Sequence, residues 1–382
     1  MSVDYVDPSD GRAYSTSRPL WRSPSGSHLN LSSGTGLRRG DIESARRSAW
    51  RYAAAIRVDA RTAVTMGEGW TPLIDIDWDG FPVRAKLEFM MPTGSFKDRG
   101  MTVMISYLRQ CGVTRVLEDS SGNAGASLAA YAAAAGMQAR ILVPETASYP
   151  KIAQIAACGA DVVTIPGSRQ DVADAALAMS DEIFYASHNW QAFFAEGTKT
   201  LAYELWEQLR FRAPDNVIVP LGYGSNVMGC EHGFRELSAN GEIERMPRIF
   251  AVQAANCAPY YNAFTAGVDH LVPTDVRPTV AEGIASSKPT RVREVLAAVR
   301  ASGGTIVAAT EQEIGRALGL LARKGLYVEP TSAAAAAGLT QLIDSGVIQK
   351  SQTSVLVLTG SGLKAGERIG EMLHLTARRD HG

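Results

Sequence analysis

From about residue 70 onward, short runs of β-branched and aliphatic residues alternate with segments whose apolar positions recur at helical spacing. The runs Arg115–Glu118, Ala139–Val143, Asp161–Ile165, Asn216–Val219, Ile249–Gln253, Thr305–Ala308 and Ser354–Leu358 predict strands. Between and after them, Asn123–Ala135, Tyr149–Cys158, Asp171–Glu182, Gly197–Leu209, Thr290–Ala301, Glu311–Arg323 and Gly366–Leu373 predict helices. Strand followed by helix, repeated, is the pattern of parallel sheets covered on both faces, so the expected fold class is α/β. The alanine runs at 132–135 and 333–337 are strong helix formers. Ligands in such sheets sit beyond the carboxyl ends of strands, which directs attention to the loops there.

Residues 1–65 break this pattern. They are rich in Ser, Gly, Arg and Tyr, with one helix-like stretch from Asp41 to Ile56, and read as an extension packed on the body. The turn-rich segment Gly67-Glu68-Gly69-Trp70-Thr71-Pro72-Leu73 opens the main fold.

A length of 382 residues favours two or three folding units with a core large enough for a deep site. The net charge of −1 argues against nucleic acid or anionic lipid as partners. No run of about 18 apolar residues occurs, and residues 1–40 hold no apolar stretch of the secretory kind. Cys111, Cys158, Cys230 and Cys257 lack metal-ligand spacing, and a reducing cytoplasm is the expected setting. Only eight residues are lysine, which leaves a short roll of candidate amine nucleophiles.

Four loops carry the chemistry. In Pro92-Thr93-Gly94-Ser95-Phe96-Lys97-Asp98-Arg99-Gly100, a lysine stands at a helix opening, where the dipole and burial both lower its pKa, as an imine-forming amine requires. Ser120-Ser121-Gly122-Asn123-Ala124-Gly125 follows a strand and either caps a helix or binds an anion, with the Asn123 amide free to reach a phenolic oxygen. Gly222-Tyr223-Gly224-Ser225-Asn226 forms a glycine-rich cradle suited to a phosphate. Val227 excludes a dinucleotide G-x-G-x-x-G, and no neighbouring lysine completes a Walker loop. Thr359, at the end of the last strand, offers a neutral hydroxyl to a heteroaromatic nitrogen. An imine lysine, an anion turn, a phosphate cradle and a ring-nitrogen hydroxyl together suit pyridoxal 5′-phosphate.

At these residues the chain resembles the fold-type II pyridoxal-phosphate enzymes, and within them the threonine synthase branch. Gly67–Leu73, Pro92–Gly100, Ser120–Gly125, Gly222–Asn226, Glu329–Ala333 and Leu358–Gly362 fall in the family's order. The resemblance covers roughly residues 65–375. It implies Lys97 as the Schiff-base lysine, Asn123 on the cofactor's ring oxygen, and Thr359 on the pyridine nitrogen. It places the phosphate on Gly222, Tyr223, Gly224, Ser225 and Asn226, and Ser120 and Ser121 near the substrate carboxylate. It further implies a large cofactor-binding domain (66–105 and 190–382), a small mobile domain (106–189), a homodimer, and a small amino-acid substrate undergoing β- or γ-elimination, with or without replacement.

Three departures qualify the match. Threonine synthases usually carry an arginine three residues before the glycine of a Gly-x-Lys-Thr segment, where it grips the substrate's phosphate. Here that segment is Gly197-Thr198-Lys199-Thr200 and the position is Phe194, so a bidentate, charge-assisted contact is replaced by a ring. Ala124 stands where a threonine is expected. The stretch Trp21-Arg22-Ser23-Pro24-Ser25-Gly26-Ser27 has serines where some relatives have cysteine pairs, and reads as a metal-free relic of a zinc ribbon. Phe194 points to a substrate other than O-phosphohomoserine. The alternatives are a threonine synthase whose phosphate is met by Arg169 or Arg212, a serine or threonine dehydratase, and a silent cofactor- or nucleotide-binding protein. Side-chain specificity falls to pocket shape, through Phe194, His188, Trp190 and residues 282–288.

Overall fold

The computed structural model describes residues 3–374 except 146, 148 and 168. The chain opens with three short strands, β1 (Asp4–Val6), β2 (Ala13–Ser15) and β3 (Asn30–Leu31), forming an antiparallel sheet in the order β2-β1-β3. Next come a hairpin of β4 (Leu73–Trp78) and β5 (Phe81–Lys86), then α1 (Lys97–Gln110). The alternating middle follows: β6 (Arg115–Glu118), α2 (Asn123–Ala135), β7 (Gln138–Pro144), α3 (Tyr149–Ala157), β8 (Asp161–Ile165), α4 (Arg169–Met179) and β9 (Phe184–Tyr185). Helices α5 (Ala192–Thr198) and α6 (Thr200–Gln208) lead to β10 (Asn216–Pro220), α7 (Ser225–Ala239), β11 (Arg248–Ala254) and α8 (Pro259–Thr265). The chain closes with α9 (Val292–Ala301), β12 (Ile306–Ala309), α10 (Glu311–Arg323), α11 (Pro330–Asp344), β13 (Ser354–Val357) and α12 (Gly366–Met372).

Two sheets carry the α/β body. One has the order β8-β7-β6-β9 and is parallel throughout. The other runs β12-β11-β10-β13-β5-β4, parallel except for the antiparallel β4–β5 pair at its edge. The hairpin departs from the expected all-parallel arrangement, and its turn is Asp79-Gly80, both residues at positive φ. Strands β10 and β13 are buried at every position, as central parallel strands must be when helices cover both faces.

Two predicted helices differ. The stretch Asp41–Ile56 holds only short 3-10 turns, Arg39–Asp41 and Ala49–Ala55. Its main chain bonds outward instead: the Glu43 N–H donates to Arg51 O and the Ala49 N–H to Glu68 O. Trp50, Arg51 and Tyr52 are consecutive and all buried, so no one-sided helical stripe exists. The predicted Gly197–Leu209 helix starts earlier, at Ala192, and breaks at Lys199 into α5 and α6. Among the described residues no helix is long and apolar enough to cross a membrane.

Candidate active site

Local sequence dictates where the candidate residues sit. Lys97 is the first residue of α1, Asn123 the first of α2, and Ser225 the first of α7; all three helix starts lie near sheet strands' carboxyl ends. Ser120 and Ser121 form the turn between β6 and α2, and Thr359 follows β13. The loops of Lys97 and Thr359 are stitched together, with the Phe96 N–H donating to Thr359 O at 2.9 Å and the Ser361 N–H to Gly94 O at 2.9 Å.

The Lys97 helix is anchored by a buried ion network. Arg99 Nε and Nη2 donate to the Glu88 carboxylate at 2.6 and 2.8 Å, and Nη1 and Nη2 reach Glu204 at 2.9 Å each. Lys86 pairs with the same Glu204, and all four side chains are wholly buried. Two cations hold the Glu204 carboxyl far below its usual range despite burial. Asp98 takes the Thr93 and Ser127 hydroxyls at 2.6 Å each, while burial lifts its carboxyl to about 6.

Lys97 keeps part of its surface open, yet desolvation lowers its ammonium to about 8 against the opposing pull of Glu118 and Glu329. Its Nζ lies 4.7 Å from the Phe96 ring centre and 5.6 Å from that of Phe194. Phe194 is 1% exposed, on the inner side of α5. The outer side is pinned by the N-terminal segment, where Arg57 Nε and Nη2 donate to Glu196 at 2.9 and 2.6 Å. Of the two arginines that could replace the missing charge, Arg212 is exposed before β10, at the amino end of the sheet. Arg169 reaches the loop after β6, but its guanidinium is paired with Asp119 at 2.6 Å.

The cradle residues fit a phosphate. Gly224 has φ +97°, and a Cβ there would lie 2.3 Å from Val295 Cγ2; a Cβ on Gly222 would lie 3.1 Å from Gly283 O. Only glycine lets the chain turn this tightly, and α7 begins without a side-chain cap, leaving its first N–H groups for an anion. Asn226 is buried there with its amide oxygen partnerless, and Ser95 Oγ is likewise buried and partnerless two residues before Lys97. Thr359 Oγ1 lies 3.1 Å from Ser332 Oγ, a neutral hydroxyl pair suited to a ring nitrogen without a charge. Asn123 Nδ2 donates to both Glu329 oxygens at 3.1 and 3.0 Å, and Lys364 Nζ donates to its Oδ1 at 3.1 Å.

Glu118, Asp119, Glu329, Lys364 and Ser332 carry no role in the sequence reading, although Glu329 and Ser332 fall inside its motifs. The acidic Glu118-Asp119 pair ending an apolar strand was the available signal, since buried adjacent carboxylates need specific partners. Burial raises both carboxyls.

Residues 64–360 match the family described as "Pyridoxal-phosphate dependent enzyme". The threonine synthase of Methanocaldococcus jannaschii is 37% identical over 324 residues, covering 82% of this chain and 80% of that protein. The threonine synthase of Mycobacterium leprae is 36% identical, covering 80% and 85%. Among solved structures, a threonine deaminase isoform from Solanum lycopersicum aligns with a TM-score of 0.70 at 22% identity, covering 90% of this chain and 96% of that one. Maize serine racemase aligns with a TM-score of 0.68 at 21% identity, covering 80% and 92%. The chain therefore belongs to the pyridoxal-phosphate dependent enzymes of fold type II, as a threonine synthase-like lyase whose cofactor is pyridoxal 5′-phosphate.

Proposed function

We propose that the enzyme carries out β- or γ-elimination, with or without replacement, on a small amino acid whose side chain is uncharged, and that O-phosphohomoserine is not its substrate. The observation that carries this reading is the buried Phe194 ring 5.6 Å from the Lys97 amine. A phosphate seated there would meet a ring in place of a guanidinium, and an unpaired buried charge costs several kcal/mol.

Lys97 would hold the cofactor through its amine, and the same amine would take the Cα proton of the substrate. Pyridoxal phosphate supplies an electron sink for carbanion character at Cα. Gly222, Tyr223, Gly224, Ser225 and Asn226 hold the phosphate, Asn123 the ring oxygen, and Thr359 the ring nitrogen. A hydroxyl does not keep a proton on that nitrogen as a carboxylate would, which favours elimination over transamination. Ser120 and Ser121, before the α2 N-terminus, hold the substrate carboxylate. In this reading residues 106–189 move against the large domain, and the active species is a cytoplasmic homodimer. The N-terminal extension counts as a metal-free counterpart of a zinc ribbon, in which Asp7 accepts from the Ser9 and Ser25 hydroxyls at 2.6 and 2.7 Å.

The test is turnover of O-phosphohomoserine beside a panel of uncharged amino acids. Efficient release of phosphate from O-phosphohomoserine would overturn the substrate assignment. It would favour the second reading, a true threonine synthase, which the names of the 36–37% identical relatives support and in which Arg169 would leave Asp119 for the substrate.

A further inference from the structure

Two side chains beside Lys97 have no part in holding the cofactor. Glu118 ends β6 wholly buried. Its Oε2 accepts the main-chain N–H of His188 at 3.2 Å and lies 3.4 Å from His188 Nδ1, while Oε1 accepts the Asp119 N–H at 3.3 Å. Burial pushes the Glu118 carboxyl up, and the N–H groups that both oxygens accept oppose that push in favour of the carboxylate form. The His188 imidazole is 8% exposed, with its ring centre 5.4 Å from that of Phe194 and 6.2 Å from that of Tyr223. It therefore stands between the aromatic neighbour of the lysine and the phosphate cradle. Its Nε2 has no hydrogen-bond partner among the described residues.

A carboxylate at Nδ1 fixes the tautomer of a neutral imidazole, placing the proton on Nδ1 and a lone pair on Nε2. The charged groups around the ring are Glu118 at Nδ1, the Asp119–Arg169 pair and Lys97; burial and the two cations keep it neutral. An unpartnered lone pair in so buried a setting accepts from O–H or N–H and repels oxygens that have only lone pairs to offer.

The geometry points to a recognition device: His188, positioned by Glu118, reads the substrate's side chain by accepting a hydrogen bond from a neutral donor, so the preferred substrates are hydroxy-amino acids and their phosphorylated or carboxylated counterparts are rejected. This rests on the amino-acid reading of the Lys97 site and names the chemistry that the site selects. His188 is a specificity residue and Glu118 a positioning residue acting through it.

The first test is the 15N spectrum of the labelled holoenzyme, with the His188 ring signals identified by their loss in His188→Phe and, independently, in His188→Asn. A neutral ring protonated at Nδ1, losing that preference in Glu118→Gln, is expected. A ring protonated at Nε2, or at both nitrogens, overturns the inference.

The second test compares serine, threonine and homoserine with 2-aminobutyrate, which has no side-chain donor. His188→Phe is expected to raise KM for the responsive hydroxy-amino acid roughly tenfold, the weight of one hydrogen bond, and to leave binding of 2-aminobutyrate unchanged. Equal weakening of both ligands, or faster wild-type turnover of O-phosphoserine or O-phosphohomoserine than of the free alcohols, overturns it. Failure of the underlying reading looks different: wild-type protein would then show no visible cofactor band and no spectral response to any amino acid.

Discussion

Phe194 lies across the first turns of the helix that starts at Lys97, pressed so closely on Gly100 that a Cβ there would sit 2.5 Å from its ring. The contact makes one aromatic side chain both a wall beside the reactive amine and a packing element between α1 and α5. A Cβ on Gly197 would likewise meet Arg99 O at 2.0 Å, so the two helices cross on glycines. Under the proposed function, specificity and stability are therefore coupled at this position.

Phe194→Ala should cost about 3–5 kcal/mol, because the ring is fully buried and the glycine-lined crossing has little to collapse into the gap. The denaturant midpoint should fall with an unchanged slope, and turnover should weaken through KM for uncharged substrates.

Capture of pyridoxal phosphate by cofactor-free protein should accelerate as pH rises through about 8, where half of Lys97 is the neutral nucleophile. Desolvation sets this value, and Glu118 opposes it, so Glu118→Gln should move the midpoint lower. Between about 8 and 10.5 the folded chain holds fewer protons at this site than the unfolded chain, so cofactor-free protein should gain stability with rising pH across that window. Stopped-flow absorbance and denaturant titrations measure the two effects. Lys97→Ala should abolish the covalent visible band; survival of both band and activity would remove Lys97 from its role.

Glu204→Gln removes the carboxylate that Arg99 and Lys86 share, leaving Arg99 on Glu88 and Lys86 without its ion pair in a wholly buried site. A broken buried network of this kind costs about 3–5 kcal/mol. Because Arg99 holds the helix that presents Lys97, cofactor occupancy should fall with stability, which thermal melts with and without added cofactor would separate.

Gly125→Ala would place a Cβ 1.8 Å from Ser120 O, so the turn carrying Ser120 and Ser121 must move. A displacement near 1 Å at a substrate-positioning loop costs on the order of 100-fold in kcat/KM. The visible cofactor band should persist, since Lys97 and the 222–226 cradle lie on other loops. Loss of the band in a folded variant would show that the turn supports the cofactor instead.

The candidate-site loops were legible because their signals are local. A lysine beside Gly94 and Ser95 at a helix start, glycines at 222 and 224, and a Thr-Gly-Ser turn after an apolar strand each carry their meaning within a few residues. The parallel strands were legible for the same reason, since burial on both faces leaves continuous apolar runs such as Asn216–Pro220. The β4–β5 hairpin was missed because Asp75, Asp77 and Arg84 give it an exposed edge and break the apolar pattern.

The sequence by itself determined the α/β class, the cofactor chemistry and the candidate contacts on each loop, because turn geometry and helix starts depend on neighbouring residues. Tertiary structure alone decided that Glu118 meets His188, that Glu204 gathers Arg99 and Lys86, and that Phe194 stands over Lys97. Those partners come from distant segments joined by sheet order and helix crossing. Burial then turns each meeting into a pKa, a tautomer or a pocket wall that no local pattern encodes.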